Sequence, residues 1–344
     1  MPYIENLITE VNSTHSSLGE LVAMCQITAK AQKMLLIVSP SGCGKSTAMS
    51  LIGKNTVDSI MPDRLSIAGL AFMQEKLCDF RSVVIIDDIA TTQTDYARKT
   101  TITTLSALIY THRIESMMMG IQYEIDNFYG SAIVGIQPVL LRNLMLSEEW
   151  DASIQDKTFR YYHLYRPIKP VIGLPKVKIE GGIPLDSVKD FEPDVKNENW
   201  QKLVTLGISQ WSIARTTEHL KAFLKAISAL ENRKKVIDSD YSLLLSLLKP
   251  MAIENVVVIK KRLESERFLD DNLLALLAEY YSYNGEYSLE QVAIDYKLSI
   301  AQCYRIMQKE NGSWQQISKS PTIYQPSKKL LALLKQYNLE VKNG

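Results

Sequence analysis

The chain has 344 residues, a length that predicts two or three domains, and its ordinary globular composition (46 % hydrophobic, 22 % charged) excludes a disordered, collagen-like or disulfide-scaffold protein. A net charge of +1 excludes attraction of the whole chain to nucleic acid or membrane, so any such contact needs a local patch. Four scattered cysteines, and apolar runs far shorter than the roughly 20 residues of a membrane span, predict a cytoplasmic protein without a membrane partner.

Short apolar runs alternate with helical spacing in the first half of the chain. The runs cover residues 34–38, 83–86, 132–136 and 159–165. Buried strands that alternate with helices predict an α/β domain with a parallel sheet covered on both faces. Three prolines then interrupt both patterns, at Pro167, Pro170 and Pro175, so the first domain is expected to end near residue 170.

The next part of the chain has helical spacing only. Between residues 200 and 248 apolar residues recur every three or four positions, which predicts an amphipathic helix with one apolar face. A second helix is expected over 241–248, before Pro250. The residues of the apolar face are Leu220, Phe223, Leu224, Ile227 and Leu230.

A phosphate-binding loop follows the first apolar run. Residues 39–47 read Ser-Pro-Ser-Gly-Cys-Gly-Lys-Ser-Thr and fit the pattern G-x-x-x-x-G-K-[ST], except that Ser39 stands in place of the first glycine. The glycines let backbone N–H groups converge on a phosphate, the lysine bridges the terminal phosphates, and Ser46 places its hydroxyl on Mg²⁺. The predicted nucleotide-binding residues are Ser41, Gly42, Cys43, Gly44, Lys45, Ser46 and Thr47.

Two adjacent acids, Asp87 and Asp88, follow the second apolar run. Ligands of such sheets bind at the carboxyl ends of the strands, so both acids are expected beside the loop. Asp87 is predicted to hold Mg²⁺, directly or through water, and Asp88 to orient and activate the attacking water. The predicted cofactors are therefore ATP and Mg²⁺, while a solvated strand end that carries two acids by chance is the alternative.

These residues resemble the AAA+ superfamily of P-loop ATPases, and the resemblance covers about residues 1–250. It implies that the strand at 132–136 delivers a sensor residue, Gln137, to the γ-phosphate or the attacking water. It also implies that Arg215, in a helical lid, touches the nucleotide. Asp88 stands where most members have glutamate; the helicase-loader branch of the superfamily also has an aspartate there, so the resemblance favours a slow switch over a fast motor.

Ring-forming members of the superfamily also receive an arginine finger from a neighbouring subunit. The resemblance makes Arg160 the first candidate here, with Arg142 and Lys157 behind it, because the usual arginine-phenylalanine pair is not present in this region. A surface or core position is the alternative for each of the three. Assembly of the chain into a homo-oligomeric ring or filament rests on the same resemblance.

Residues 114–125 alternate apolar and less apolar side chains, which is typical of a β-strand. The preferred prediction is an extra strand of the sheet. A hairpin that points into the pore of a ring, as in some ring ATPases, is the alternative.

The carboxy-terminal part resembles a winged helix-turn-helix. Ser288 and Ser299 are each followed three residues later by glutamine, the capping-box arrangement that begins a helix, and only residues 296–298 separate the two helices. Residues 311–324 fit a wing hairpin. Lys297 departs from the pattern, because glycine is commonest at its place in the turn.

The second of these helices is predicted to bind DNA. Between residues 296 and 335 seven basic residues oppose one acid, Glu310, a local charge of +6 that fits contacts with phosphates. Glutamine and arginine side chains read base edges in the major groove. The predicted DNA contacts are Ser299, Gln302, Arg305, Gln308, Lys309 and Lys319.

The sequence thus predicts an α/β P-loop core over residues 1–170, a linker and all-α lid over 171–250, and a connecting helix with a winged helix-turn-helix over 251–344. The predicted function is a DNA-associated AAA+ ATPase that hydrolyses ATP with Mg²⁺ to drive assembly or remodelling on DNA, as a motor, a loader or an initiator. The alternative is a protein-remodelling or regulatory ATPase switch whose winged helix binds a protein partner.

Overall fold

The computed structural model describes residues 2–62, 65–91, 94–118, 121–145, 147, 149–163, 173–254, 287–290, 293, 299–309 and 314–328. They divide into two compact units. Of the described residues, those within 2–39, 44–163 and 173–251 belong to the first unit, and those within 40–43 and 252–328 belong to the second. No helix in the described part of the chain has the length and apolar character needed to cross a membrane.

The first unit is an α/β fold with a separate hairpin. Its elements, in chain order, are α1 (Tyr3–Thr14), α2 (Gly19–Lys30), β1 (Met34–Val38), α3 (Lys45–Asn55), α4 (Ile67–Phe72), α5 (Gln74–Leu77), β2 (Val83–Ile86), α6 (Asp95–Thr111), β3 (Ile114–Met118), β4 (Ile121–Ile125), β5 (Ser131–Ile136), α7 (Pro138–Met145), β6 (Thr158–Tyr162), α8 (Glu198–Gly207), α9 (Ile213–Leu230) and α10 (Asp238–Leu248).

Four parallel strands form the central sheet, in the order β2-β5-β1-β6. All four predicted apolar runs are strands, so the prediction of a parallel-sheet α/β core is confirmed. The third strand starts one residue earlier than expected, and the fourth occupies Thr158–Tyr162. Every residue of these strands is buried, which agrees with a sheet covered on both faces.

Helices that precede and follow the sheet share one hydrophobic core with it. α1 and α2 come before the first strand, whereas α8, α9 and α10 come after the last, and all five contribute to the core. Phe159 of β6 links the strands to the later helices, because its ring lies 5.9 Å from that of Trp211 and 5.4 Å from that of Phe223. The helical segment 198–248 is therefore packed directly on the sheet.

The predicted helical face is confirmed, since Leu220, Phe223, Leu224, Ile227 and Leu230 of α9 are all buried. The second predicted helix begins at Asp238, three residues before the expected start. The Asp240 carboxylate accepts a hydrogen bond from the Ile237 N–H at 2.9 Å and from Arg233 Nη1 at 3.0 Å. This cap extends the helix beyond its apolar stripe.

Strands β3 and β4 form an antiparallel hairpin with its own two-stranded sheet. The prediction of an extra strand in the central sheet is therefore wrong. Apolar alternation reports that one face of a strand is buried but not which sheet it joins, and here β4 packs against α4 and α5. At the base of the hairpin Arg113 contacts three acids, Glu115, Glu124 and Asp126.

The described part of the second unit includes a small antiparallel sheet and a helix whose bounds are defined. The strands β7 (Tyr287–Ser288), β8 (Trp314–Lys319) and β9 (Thr322–Pro326) pair in the order β7-β9-β8, and α11 covers Ile300–Lys309. The predicted hairpin forms between β8 and β9. Most of the helix predicted to start at Ser288, and the connecting segment 255–286, lie outside the described residues.

Candidate functional site

The loop between β1 and α3 has the backbone that its two glycines permit. Gly42 and Gly44 have φ of +82° and +83°, a left-handed conformation that strains every residue with a side chain. Gly44 is also the residue that precedes the first turn of α3, so the helix begins at Lys45. A left-handed backbone at these two positions is the conformation that the phosphate-loop prediction requires.

Within this loop the side chains differ in exposure. Ser41, Gly42 and Ser46 are exposed, Gly44 and Thr47 are half-buried, and Cys43 and Lys45 are buried. A buried lysine needs a partner. Lys45 has one in Asp88, whose Oδ2 lies 3.3 Å from the lysine Nζ.

Asp88 is the centre of a polar group at the carboxyl edge of the sheet. β2 and β5 are neighbours that end at Ile86 and Ile136, so the residues that follow them emerge at the same edge. Gln137 Nε2 donates to Asp88 Oδ2 at 3.2 Å, and the N–H of Ala90 donates to Asp88 Oδ1 at 2.9 Å. The structure thus brings together Lys45, Asp88 and Gln137 around one carboxylate.

Asp87 lies in a different environment, since it is exposed while Asp88 is half-buried. Gly135 of β5 sits so close to the Asp87 carbonyl oxygen that a side-chain carbon at position 135 would overlap it. The glycine therefore allows the two strand ends to approach each other. No sequence pattern points to Gly135 or to the Ala90 amide, because backbone donors and close approaches leave no side-chain signal.

The predicted Mg²⁺ ligands are oxygen donors of the type that the ion prefers, a hydroxyl at Ser46 and a carboxylate at Asp87. Both are exposed. No group of three or more histidine, cysteine or acidic side chains within the described residues could hold a metal ion. This donor set fits an ion that a nucleotide brings with it, held by few protein ligands.

Arg160, the first candidate for an arginine finger, is fully buried in β6. Its guanidinium donates to the carbonyl oxygens of Gln155 (2.6 Å), Thr158 (2.9 Å) and Gln210 (2.8 Å), and it lies over the ring of Trp150. A finger must reach another subunit, so this placement is incompatible with that role. The Arg142 side chain lies outside the described ones, and Lys157 Nζ lies 5.5 Å from the centre of the Tyr110 ring.

Replacing the Arg160 guanidinium is expected to lower the free energy of unfolding. Arg160→Met keeps much of the apolar stem but removes the guanidinium donor from the carbonyl oxygens of Gln155, Thr158 and Gln210, of which Thr158 keeps a second donor in Trp211 Nε1, at an expected cost of about 2–4 kcal/mol. Urea unfolding measures it, with Lys157→Ala as the control and an expected change below about 1 kcal/mol. Unchanged stability together with lost ATP turnover would instead favour a finger.

Arg215, the predicted lid residue, is not at the carboxyl edge. Its guanidinium lies 4.2 Å from the centre of the Tyr110 ring and donates to Glu218 Oε2 at 2.6 Å. Glu218 also accepts from Lys33 Nζ at 2.8 Å, and Lys33 directly precedes β1. Because the phosphate loop follows β1, a five-residue strand of roughly 16 Å separates the two groups. The structure does not bring Arg215 to Lys45.

The same end of α9 carries His219, which makes stability dependent on pH. Burial and, second to it, the charge of Lys33 lower the pKa of His219 from 6.5 to about 4, and Nε2 bonds to the Asp156 carbonyl oxygen. The unfolded chain binds this proton near pH 6.5 and the folded chain only near 4, so the stabilisation is present above 6.5 and lost towards 4. Between pH 7 and pH 5 we expect a loss of about 2 kcal/mol.

Urea unfolding at pH 7 and pH 5 tests this expectation. In His219→Gln the difference in unfolding free energy between the two pH values should shrink by about 2 kcal/mol. An identical pH dependence in the variant and the wild type would show that other groups carry it.

As far as they are described, the predicted DNA contacts lie at Ser299 directly before α11, on α11 and on β8. Ser299, Gln302, Arg305 and Lys319 are exposed, whereas the side chains of Gln308 and Lys309 lie outside the described ones. Gln302 Oε1 accepts from the Ser299 N–H at 2.9 Å, and the Gln302 N–H donates to Ser299 Oγ at 3.3 Å. The capping box predicted at Ser299 is therefore confirmed, and it occupies the oxygen of Gln302.

Comparison with known families identifies one matching domain. Residues 16–131 match the family model of the Rad17 P-loop domain, which is about a third of the chain. The match includes the phosphate loop and both acids, and it ends at the first residue of β5. No curated protein matches the chain. The match supports a nucleotide-binding P-loop domain in this part of the chain.

Proposed function

We propose that the protein is a DNA-associated ATPase of the AAA+ type that binds ATP with Mg²⁺ and hydrolyses it slowly. The observation that carries the proposal is the arrangement of Lys45 and Gln137 around Asp88 at the carboxyl edge of the sheet. It supplies a cation for the phosphates, a carboxylate that can accept a proton, and an amide that can orient the attacking water beside that carboxylate.

Lys45 has two competing anionic partners in this proposal. Without nucleotide its ammonium pairs with Asp88 at 3.3 Å. When a triphosphate occupies the loop, the ammonium turns to the phosphate oxygens, helped by the N–H groups at the start of α3. Asp88 Oδ2 then accepts the proton of a water molecule that attacks the γ-phosphate as ADP leaves, while the Ala90 N–H keeps the carboxylate in place.

Gln137 orients the attacking water through its amide, and its bond to Asp88 holds that amide near the carboxylate. Ser46 and Asp87 are the proposed ligands of Mg²⁺, which when bound neutralises phosphate charge. The aspartate side chain is one methylene shorter than that of glutamate. A water molecule must therefore come closer to the strand end before the Asp88 carboxylate can accept its proton. This geometry supports the behaviour of a slow switch.

The second unit is proposed to bind DNA as a winged helix. A helix with a capped start precedes a hairpin, and Arg305 and Lys319 are exposed on these elements.

We also propose that 198–248 acts as the helical lid of the superfamily, and that the chain assembles as a ring or filament on DNA. Sizing chromatography with a non-hydrolysable ATP analogue tests the assembly; a monomer in its presence and absence would contradict it.

One observation favours the alternative, a protein partner on α11. Ile300 and Tyr304 are separated by one helical turn and are 54 % and 42 % exposed, whereas contacts to phosphates need no apolar side chains. Binding of ATP with no DNA affinity at low salt would favour this second function.

Filter binding with duplex, single-stranded and branched DNA, each with ATP or ADP, tests the proposed function together with an assay of phosphate release. We expect DNA retention that depends on the nucleotide, and slow turnover. If calorimetry detects no heat when ATP is added to folded protein, the proposal is wrong as a whole.

Arg305→Ala is expected to weaken DNA binding by about 5- to 100-fold, and to reduce the slope of log affinity against log salt by about one if Arg305 contacts a phosphate. Arg113→Ala is the matched control, because Arg113 belongs to the β3–β4 hairpin and is surrounded by acids. Equal DNA affinity in both variants would exclude Arg305 as a DNA contact.

A further inference from the structure

The first unit contains a cavity of about 120 Å³ between α6 and α7, at the ends of β2 and β5. Its floor is aliphatic, because the buried side chains of Ile89, Ile102, Ile136 and Leu144 line it. At about 30 Å³ for each molecule it has room for some four waters, or for one small ligand. No residue of the loop 39–47 lines it, so it is distinct from the proposed nucleotide site.

Leu140 and four polar side chains complete the lining of the cavity, and most of the polar ones are hydrogen-bond donors. Arg98 and Lys99 of α6 and Asn143 of α7 contribute three donor groups, and Asp95 contributes one carboxylate. Asp95 Oδ1 accepts from Arg98 Nη1 at 2.6 Å, so one edge of the guanidinium is occupied. The Nε atom of Arg98 is buried and has no hydrogen-bond partner among the described residues.

An unpartnered buried donor is costly, and a ligand acceptor would remove that cost. Lys99 Nζ lies 3.6 Å from Glu149 Oε2, a long contact with a half-exposed acid that a closer anion can replace. The aliphatic floor disfavours inorganic phosphate, which gives up strong hydration without apolar gain. The planar guanidinium of Arg98 matches a carboxylate, and the floor matches a short hydrocarbon chain.

We propose that this cavity binds a short aliphatic carboxylate, with the carboxyl group at Arg98 and Lys99 and the hydrocarbon chain on the isoleucine floor. The carboxylate comes either from a free acid or from a glutamyl side chain of a polypeptide, which carries the same chemistry.

Binding in the cavity is also proposed to alter the nucleotide site, a step that rests on the proposed function. Ile89 directly follows Asp88, and Ile136 directly precedes Gln137. The turn that contains Ile89 also supplies the Ala90 N–H that holds Asp88. A ligand that presses on both isoleucines therefore acts on the two residues proposed to handle the attacking water.

Calorimetric titration of sodium butyrate into nucleotide-free protein tests the site. We expect binding by the wild type, a dissociation constant at least about tenfold higher for Arg98→Gln, and the same loss for Leu140→Phe, which fills the cavity without changing charge. Arg113→Gln is the matched control and should bind like the wild type. If Arg98→Gln fails to fold, the butyrate affinity of Leu140→Phe alone decides the test.

Three results would overturn the assignment. They are no heat with butyrate, equal binding of the neutral analogue butyramide, and binding of inorganic phosphate as tight as that of butyrate. The peptide acetyl-Ala-Glu-Ala-amide separates the two sources, since tighter binding of the peptide than of butyrate points to a polypeptide and weaker binding to a free acid.

The coupling is measured separately, as the affinity for ATP with and without saturating butyrate. We expect a change of about fivefold, and the same factor in butyrate affinity when ATP is present. Butyrate binding with unchanged ATP affinity would retain the site and contradict the coupling. Absence of ATP binding would contradict the proposed function while leaving the butyrate result intact.

Discussion

Asp88→Asn is expected to lower the rate of ATP hydrolysis by about 10²- to 10⁴-fold, while ATP affinity stays within about tenfold of the wild type. Asparagine has the shape of aspartate, and its oxygen can still accept the Ala90 N–H that now holds Asp88 Oδ1 at 2.9 Å. It cannot take a proton from water. Phosphate release at saturating ATP measures the rate, and calorimetry measures the affinity.

Asp126→Asn is the matched control for this variant. It makes the same chemical change beside Arg113 at the base of the β3–β4 hairpin, so its turnover should equal that of the wild type. Wild-type turnover in Asp88→Asn would remove Asp88 as the proton acceptor. Lost ATP binding in that variant would show that the carboxylate serves the site by holding Lys45 and not by chemistry.

Lys45→Ala is expected to weaken ATP binding by about 30-fold to several thousandfold, which corresponds to about 2–5 kcal/mol. The lysine side chain is almost fully buried at the start of α3. When it is removed, a cation from solvent cannot take its place beside the bound phosphates. Calorimetry with ATP gives the affinity directly.

Lys54→Ala is the control, because Lys54 is exposed in the last turn of the same helix. Both variants should melt near the wild-type temperature, since Asp88 keeps its bonds to Gln137 and Ala90 when Lys45 is lost. Equal ATP affinity in the two variants would contradict the assignment of the loop.

The strands and the phosphate loop could be predicted from sequence because local patterns carry them. A run such as Val83–Ile86 is short and apolar throughout, as a strand buried on both faces requires, and its end locates the two acids. The left-handed backbone at Gly42 and Gly44 is likewise a local property of residue type. Gln137 was assigned by resemblance, and its contact with Asp88 also depends on β2 and β5 being neighbours in the sheet, which no local pattern specifies.

The roles of the two arginines could not be predicted, because contacts between distant parts of the chain decide them. The partners of Arg160 include the Gln210 carbonyl oxygen, 50 positions away, and that distance leaves no trace in the sequence around β6. Arg215 was assigned by resemblance, but its helix packs so that Glu218 reaches Lys33 at the opposite edge of the sheet. The conformation of the turn after Ile86 decides which of the two acids faces Lys45, and no sequence pattern predicts that conformation.

The packing of Phe159 against Trp211 and Phe223 determines how the chain can be divided for experiments. A fragment that stops in the proline-containing linker would expose this aromatic surface to water, together with the backbone of Arg160, which exchanges hydrogen bonds with the Gln210 side chain. Such a fragment would aggregate more readily than a fragment that extends to residue 251. The sheet and the helices of 198–248 should melt in a single transition, with tryptophan emission, to which the buried Trp211 contributes, as its internal reporter.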